Sequence, residues 1–441
     1  MALCSFETDT ETKVKKTLEE IQYIDIELKR ITDYKSNLLQ KSDEEKALIR
    51  KSKSFRSRIR SFPTEVLCRI FQFYIPVSAG HDMETPAHAA PVILGQVCKY
   101  WRDVSWSDRN LWRRLRIDLG SDPHPQLEWA IDAHVDRAAT EVLTLNITRL
   151  FSPSTPQWLS WTTKIVEVIS RCKALWVSCE GRHLSWLGGL NPGVFHRLES
   201  IFFHARGFGY SSACLDLSTA LHLRLAHLQV GEPEELFCFT FSPTTLQDLT
   251  CVLSGFASTD YSRSINTWRS FIQRYRDLRS VQARFLGGGF IETVLTTRFI
   301  IPFATPVTFT RARALSITID SHADISAILL NFEFPSLEDL EVVAIKNIKA
   351  TLLNLLSTPA FNPNLTTLRL IRFNVESTEL YSLFRSTTML TSLDILNGRL
   401  VPGLKRFMVD DDELVHKLTI AKGETPLLPH LQHLRLYIKE L

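Results

Sequence analysis

Side chains able to do chemistry are present in this 441-residue chain, but not at catalytic spacings. Thirteen histidines could act as bases or metal ligands, yet there is no His-Glu-x-x-His, the spacing that sets two imidazoles on one helix face around zinc. His222, His227, His430 and His433 fall in or beside apolar strand-like strings, where a surface imidazole is the plain reading. Gly287-Gly288-Gly289 comes after an apolar stretch and could open a phosphate cradle. Neither Gly-Lys-Ser/Thr nor Gly-x-Gly-x-x-Gly accompanies it, so it reads as a loop. Asp410-Asp411-Asp412-Glu413 has the charge for a cation but lacks the glycine turn and spaced oxygens of a calcium loop. The eight cysteines (Cys4, Cys68, Cys98, Cys172, Cys179, Cys214, Cys238 and Cys251) form no Cys-x-x-Cys. None has a basic neighbour at a helix start to hold a thiolate. They are expected to be reduced and mostly small core residues. No catalytic residue, metal or cofactor is expected.

Composition narrows the class further. The formal net charge is +3, which gives no case for a nucleic-acid partner. No apolar run approaches the ~18 residues a membrane span needs, and the polar, acidic start does not read as a signal peptide. A cytoplasmic or nuclear protein is expected, which makes the sequons at Asn146 and Asn364 chance matches.

With no reactive centre to position, the elements themselves carry the information. Pro63 suits a first helical position, and Val66, Leu67, Ile70, Phe71 and Tyr74 come after it at helical spacing until Pro76. A polar insert, Val77 to Ala90, reads as a loop. The spacing then predicts one helix after Pro91 carrying Val92, Leu94, Val97, Cys98 and Trp101, and a short third element with Leu111, Trp112 and Leu115. Phe62, Phe71, Trp101 and Trp112 supply more apolar surface than so small a unit can hide, since each aromatic can bury roughly 150–250 Å². A partner surface is the expected remedy.

Phe62-Pro63-Thr64-Glu65-Val66-Leu67, then Ile70-Phe71, Val97-Cys98-Lys99-Tyr100-Trp101 and Leu111-Trp112, resemble the F-box. The family's opening leucine is replaced by Phe62. The resemblance, of a basidiomycete fungal type, covers Phe62 to about Leu115. It implies binding to the Skp-type adaptor of a cullin–RING ubiquitin ligase, with catalysis left to other subunits. The implied adaptor-facing residues are Phe62, Pro63, Val66, Leu67, Ile70, Phe71, Leu94, Val97, Cys98 and Trp101, with Leu111 and Trp112 closing the unit.

Ahead of this unit, residues Val14 to Ile49 hold apolar side chains in one heptad frame at Val14, Ile21, Ile24, Leu28, Ile31, Leu38 and Ile49. Lys35, Ser42 and Glu45 interrupt the seam. A solvated single helix packed on the rest of the chain and a coiled-coil dimer both fit. The basic run from Arg50 to Arg60 reads as the solvated end of that helix, with a nuclear-import signal or an acidic partner site as the competing reading.

After Asp118 a string recurs: apolar, two residues, apolar, one residue, apolar. It appears at Leu198-Ile201-Phe203, Leu246-Leu249-Cys251, Leu278-Val281-Ala283, Ala312-Leu315-Ile317, Leu337-Leu340-Val342, Leu365-Leu368-Leu370, Leu390-Leu393-Ile395 and Leu431-Leu434-Leu436. Weaker copies stand at Cys172-Leu175-Val177 and Ala220-Leu223-Leu225. The pattern resembles leucine-rich repeats, whose strands point alternate residues into a stacked core. The stretches Asp324–Phe332 and Lys349–Leu356 have helical spacing and are expected behind the strands. Ordinary α/β layers remain the alternative. Tryptophans Trp158, Trp161, Trp176 and Trp186 are expected as a capping layer, or else as a ligand surface.

The expected fold class is α+β with an α–β solenoid. It comprises a long N-terminal helix over residues 1–58, a small all-α F-box over 59–118 and an irregular repeat array over 119–441. The expected function is substrate recognition for an SCF-type ligase, with an unknown target protein on the repeats. Glu338, Glu341, Thr367, Arg369, His433 and Arg435 are the expected target-facing residues. The alternative is a non-degradative scaffold dimerised by the first helix. The last repeat strand lies just before Leu441 with no polar cap, so further chain or another molecule is expected to cover it.

Overall fold

The computed structural model describes residues 2–55, 62–74, 89–118, 125–138, 143–150, 156–180, 184–206, 214–256, 261–287, 306–319, 328–329, 332–348, 364–373, 384–396 and 428–437. It opens with helix α1 (Ala2–Phe55). Helices α2 (Thr64–Tyr74), α3 (Ala89–Val97) and α4 (Lys99–Ser107) come next, then a 3-10 turn (Arg109–Trp112) and strand β1 (Arg114–Asp118). Beyond lie α5 (Pro125–Ala138), β2 (Leu143–Leu150), α6 (Pro156–Ser170), β3 (Cys172–Glu180), α7 (Leu184–Gly188) and β4 (Ser200–Arg206). The chain continues through β5 (Leu215–Leu217), β6 (Leu225–Val230), β7 (Phe239–Phe241), β8 (Asp248–Phe256), α8 (Tyr261–Ile272) and β9 (Ser280–Gly287). The last strands are β10 (Val307–Thr308), β11 (Ala314–Ile319), β12 (Phe332–Glu333), β13 (Asp339–Ile348), β14 (Thr367–Phe373), β15 (Ser392–Leu396) and β16 (His433–Tyr437).

Twelve of these strands form one parallel sheet in the order β1-β2-β3-β4-β6-β8-β9-β11-β13-β14-β15-β16. The sheet is open, not closed into a barrel. Two small parallel pairs, β5–β7 and β10–β12, run beside it. The apolar strings explain the register. Leu115, Leu145, Leu175, Ile201, Ala226, Leu249, Val281, Leu315, Leu340, Leu368 and Leu393 lie level across successive strands, and all are buried. The residues two positions on, Ile117 through Ile395, form a second buried row. Alternation puts the residues between them on the opposite face. From β4 onward each strand of the large sheet enters by the same backbone contact, as where Arg313 N donates to the Arg279 carbonyl and Glu338 N to the Arg313 carbonyl, both at 2.8 Å.

Three expectations change. The repeat copy at β6 is Leu223-Ala226-Leu228, not Ala220-Leu223-Leu225: Leu225 stands level with Ser200 and Asp248 on the outward face. The small Ala226 masked the true phase. The single helix expected after Pro91 begins at Ala89 and is broken at Cys98 into α3 and α4. Cys98 is extended (φ −164°, ψ 171°), and its Sγ accepts the Trp101 backbone N–H. The segment 59–118 is not all-α as expected, because Leu115 and Ile117 alternate on β1 and pair it with β2.

The large apolar side chains of α1 from Val14 to Ile49 stand 48–66% exposed and have no cover among the described residues. Of the expected helical stretches, Ile328 and Leu329 are helical and buried, while Lys349–Leu356 lies outside the described residues. So do most of the polar insert, Gly288 and Gly289, Arg56, Arg58 and Arg60, and the acidic run at Asp410.

Candidate functional site: a docking unit and a sheet face

Helix α2 starts cleanly because the Val66 and Leu67 N–H groups both donate to the Pro63 carbonyl at 3.1 Å. Its apolar stripe is wide enough to serve two faces. Leu67 and Phe71 are fully buried, with the Phe71 ring 4.9 Å from Trp101 in an edge contact. Val66, Ile70 and Phe73 point outward, Phe73 at 83% exposure. The sequence reading missed Phe73, although it lies at i+7 from Val66, on the same helical stripe.

Around these, Tyr100 Oη donates to the Phe62 carbonyl at 2.9 Å, tying α4 to the start of α2. Gln72 Nε2 donates to Asp108 Oδ2 at 3.1 Å, while Asp108 Oδ1 accepts from the Asn110 N–H and caps the 3-10 turn. Arg102 Nε donates to the Gly95 carbonyl at 3.0 Å. A Cβ at Gly95 would sit 3.2 Å from Trp106 Nε1, so the indole would have to give by a few tenths of an ångström.

The expected adaptor-facing residues therefore divide. Phe62, Pro63, Val66, Ile70 and Val97 are exposed, and Cys98 and Trp101 half-buried. Leu67, Phe71, Leu94, Leu111 and Trp112 lie inside the unit. The outward set, with Phe73 and Ile93, leaves large apolar side chains exposed just before α2, along α2 and on α3. Trp112 joins the unit to α5: its Nε1 donates to the Ser105 carbonyl at 2.9 Å, its ring meets His134 edge-on at 4.8 Å, and the Arg137 guanidinium lies 4.7 Å over it.

The outward sheet face is a row set by register: Arg116, Asn146, Trp176, Phe202, His227, Thr250, Gln282, Ser316, Glu341, Arg369, Asp394 and Arg435. Behind Arg116 and Asn146 the row turns aromatic. Trp176 stacks on Phe202 with centroids 3.5 Å apart and planes 5° from parallel, and His227 is next at 5.9 Å. Trp176 thus sits on the face rather than in a cap. Trp158 and Trp161 lie on α6 with side chains outside the described ones, and Trp186 is half-buried. The other end is charged. Glu341 accepts from Ser316 Oγ at 2.7 Å, and Arg369 pairs with Asp394 at 3.4 Å. Thr367 and His433 flank Ser392 in the preceding row. Five of the six expected target-facing residues thus share one patch across β13 to β16. Glu338 stands at the strand entry, 3.5 Å from Arg313, in a cleft also lined by Arg279 and Arg311.

One cysteine does stand at a helix start beside a basic residue, contrary to expectation: Cys98 caps α4 next to Lys99. The cysteines with shifted thiols are not poised as nucleophiles. Burial pushes Cys172 from 9.0 up to about 12 and Cys238 up to about 11, and raises Cys251 for the same reason. Cys68 is raised by burial and then by the Asp108 charge. These four are thiols at neutral pH. Among the described residues no three or more of His, Cys, Asp and Glu come together to hold a metal, and no helix is long and apolar enough to cross a membrane.

Comparison with known families matches residues 59–118 to one described as F-box-like. No curated protein matches the chain. The match spans α2, α3, α4, the 3-10 turn and β1, the unit that carries the apolar helix surface. F-box domains belong to non-catalytic adaptor subunits of ubiquitin-ligase complexes and generally bind Skp-type adaptors in cullin–RING ligases. An adaptor role in such a complex is what this domain suggests.

Proposed function

We propose that the chain is the substrate-recognition subunit of an SCF-type cullin–RING ubiquitin ligase. The carrying observation is the exposed stripe Val66, Ile70 and Phe73 on an F-box-like helix whose other stripe is buried. An apolar, aromatic surface of this kind suits a tight protein interface. The adaptor docks there, and the Skp-type protein links the chain to the cullin. The sheet, read as an irregular leucine-rich-repeat solenoid, offers its outward face to a target protein. Parallel strands in sequential order and the level apolar rows support that reading. Catalysis is by proximity: target and ubiquitin-charged enzyme are held on one frame.

Co-expression with a Skp-type adaptor and a cullin tests this. A three-way complex recovered through the chain is expected. Binding of adaptor without cullin, or of neither, refutes the ligase reading. The exposed seam of α1 favours a second reading, a non-degradative scaffold joined through that helix, which would meet the first of those outcomes.

A further inference from the structure

Helix α1 spans about 80 Å at 1.5 Å per residue, and its apolar seam has no cover among the described residues. A helix of this kind is stabilised by a partner rather than by propensity alone. Its charges select the partner and its direction. In the heptad frame, Val14, Ile21, Leu28, Lys35, Ser42 and Ile49 occupy one seam position, and Thr17, Ile24, Ile31, Leu38 and Glu45 the other. Two copies aligned in parallel would place Lys35 on Lys35 and Glu45 on Glu45 inside the seam. Their flanks would oppose Glu20 to Asp25 and Lys41 to Lys46, all like-charged.

Reversing one copy removes every one of these clashes. With Leu28 level with Ile31 of the second copy, Ile21 meets Leu38 and Leu38 meets Ile21. Lys35 faces Ile24 and Glu45 faces Val14, where long stems cover apolar surface and charged heads reach water. The flanks then pair Glu20 with Lys41, Glu11 with Lys46, and Leu18 with Leu39, each twice by symmetry. Phe55 of one copy lies level with Cys4 of the other, so the overlap uses almost the whole helix.

We infer that α1 pairs with a second copy of this chain as an antiparallel coiled coil in this register. The inference rests on the α1 seam having no cover among the described residues, the observation behind the scaffold reading, and its failure leaves adaptor docking untouched. The two docking units then stand at opposite ends of the rod.

Sedimentation equilibrium of the full chain gives the association constant, and three variants test the pairing. Glu20→Lys alone and Lys41→Glu alone each weaken self-association by roughly tenfold, since two attractive pairs become repulsive, and the double variant Glu20→Lys with Lys41→Glu restores it. Both residues are exposed on the helix, so folding is spared. In the parallel arrangement the single reversals would instead strengthen the dimer, by facing Asp25 and Lys46. A zero-length carbodiimide bond between Glu20 and Lys41 is expected in the wild-type protein. Within one helix these residues lie about 30 Å apart, so that bond can form only between copies. A monomer at all concentrations, tighter dimers from the single reversals, or absence of that cross-link each overturns the proposal.

Discussion

Phe73→Ala separates docking from folding more cleanly than any other change on α2. The ring is 83% exposed, so the free protein gains little from it. Complete burial of such a side chain contributes about 1.5–3 kcal/mol. Covering the exposed portion against an adaptor therefore contributes about 2 kcal/mol, or roughly a 30-fold change in the dissociation constant. Val66→Ala with Ile70→Ala removes two side chains that are each a little over two-fifths exposed, at 43% and 42%, and is expected to match it at about 1–2 kcal/mol. Leu67→Ala behaves oppositely. Leu67 is fully buried, and its truncation costs about 2–5 kcal/mol of folding stability before any adaptor is present. Isothermal titration with purified adaptor, alongside urea unfolding of each free variant, reads both quantities. Unchanged affinity for Phe73→Ala, or a loss of its folding stability comparable to that of Leu67→Ala, would refute the two-face assignment of α2.

Trp112→Ala removes the indole that bonds Ser105 and packs against His134 and Arg137, and should cost about 3–5 kcal/mol in urea unfolding, since it is 1% exposed. Ala226→Leu forces extra volume between Ile201 and Leu249 in the inner row and should cost about 1–3 kcal/mol by the same measurement. Cys172 and Cys251 remain protonated when folded, whereas unfolded thiols ionise from their ordinary value of 9.0. Their contribution to stability is complete below pH 9 and is lost as pH rises toward the folded value, by at most about 1.4 kcal/mol per pH unit per thiol. Urea unfolding at pH 8 and 10 should show that fall, and Cys172→Ala with Cys251→Ala should flatten it.

The sheet was legible because its strands need one simple rule, an apolar residue at every second position, and Leu337-Leu340-Val342 and its kin obey it openly. The rule fails where a small residue fills an inward site, which is why Ala226 hid the phase of β6. The F-box helices were legible from Pro63 and from the i, i+4 apolar pairs. The break at Cys98 was not, because a thiol is a rare helix cap and leaves no strong sequence mark. Phe73 was overlooked for a different reason: a stripe that serves two faces looks like one broad face until burial divides it. The Trp176–Phe202–His227 stack was invisible along the chain, since those residues become neighbours only through cross-strand register.

Strand β1 belongs at once to the F-box-like segment and to the twelve-stranded sheet, where Leu115 is level with Leu145. The apolar helix surface and the outward row that begins at Arg116 are thus joined through a shared strand and one continuous buried cluster. A molecule bound at Trp176 or Arg369 and one bound at Ile70 would therefore share one frame. In a ligase, that frame would decide which lysines of the cargo come within reach.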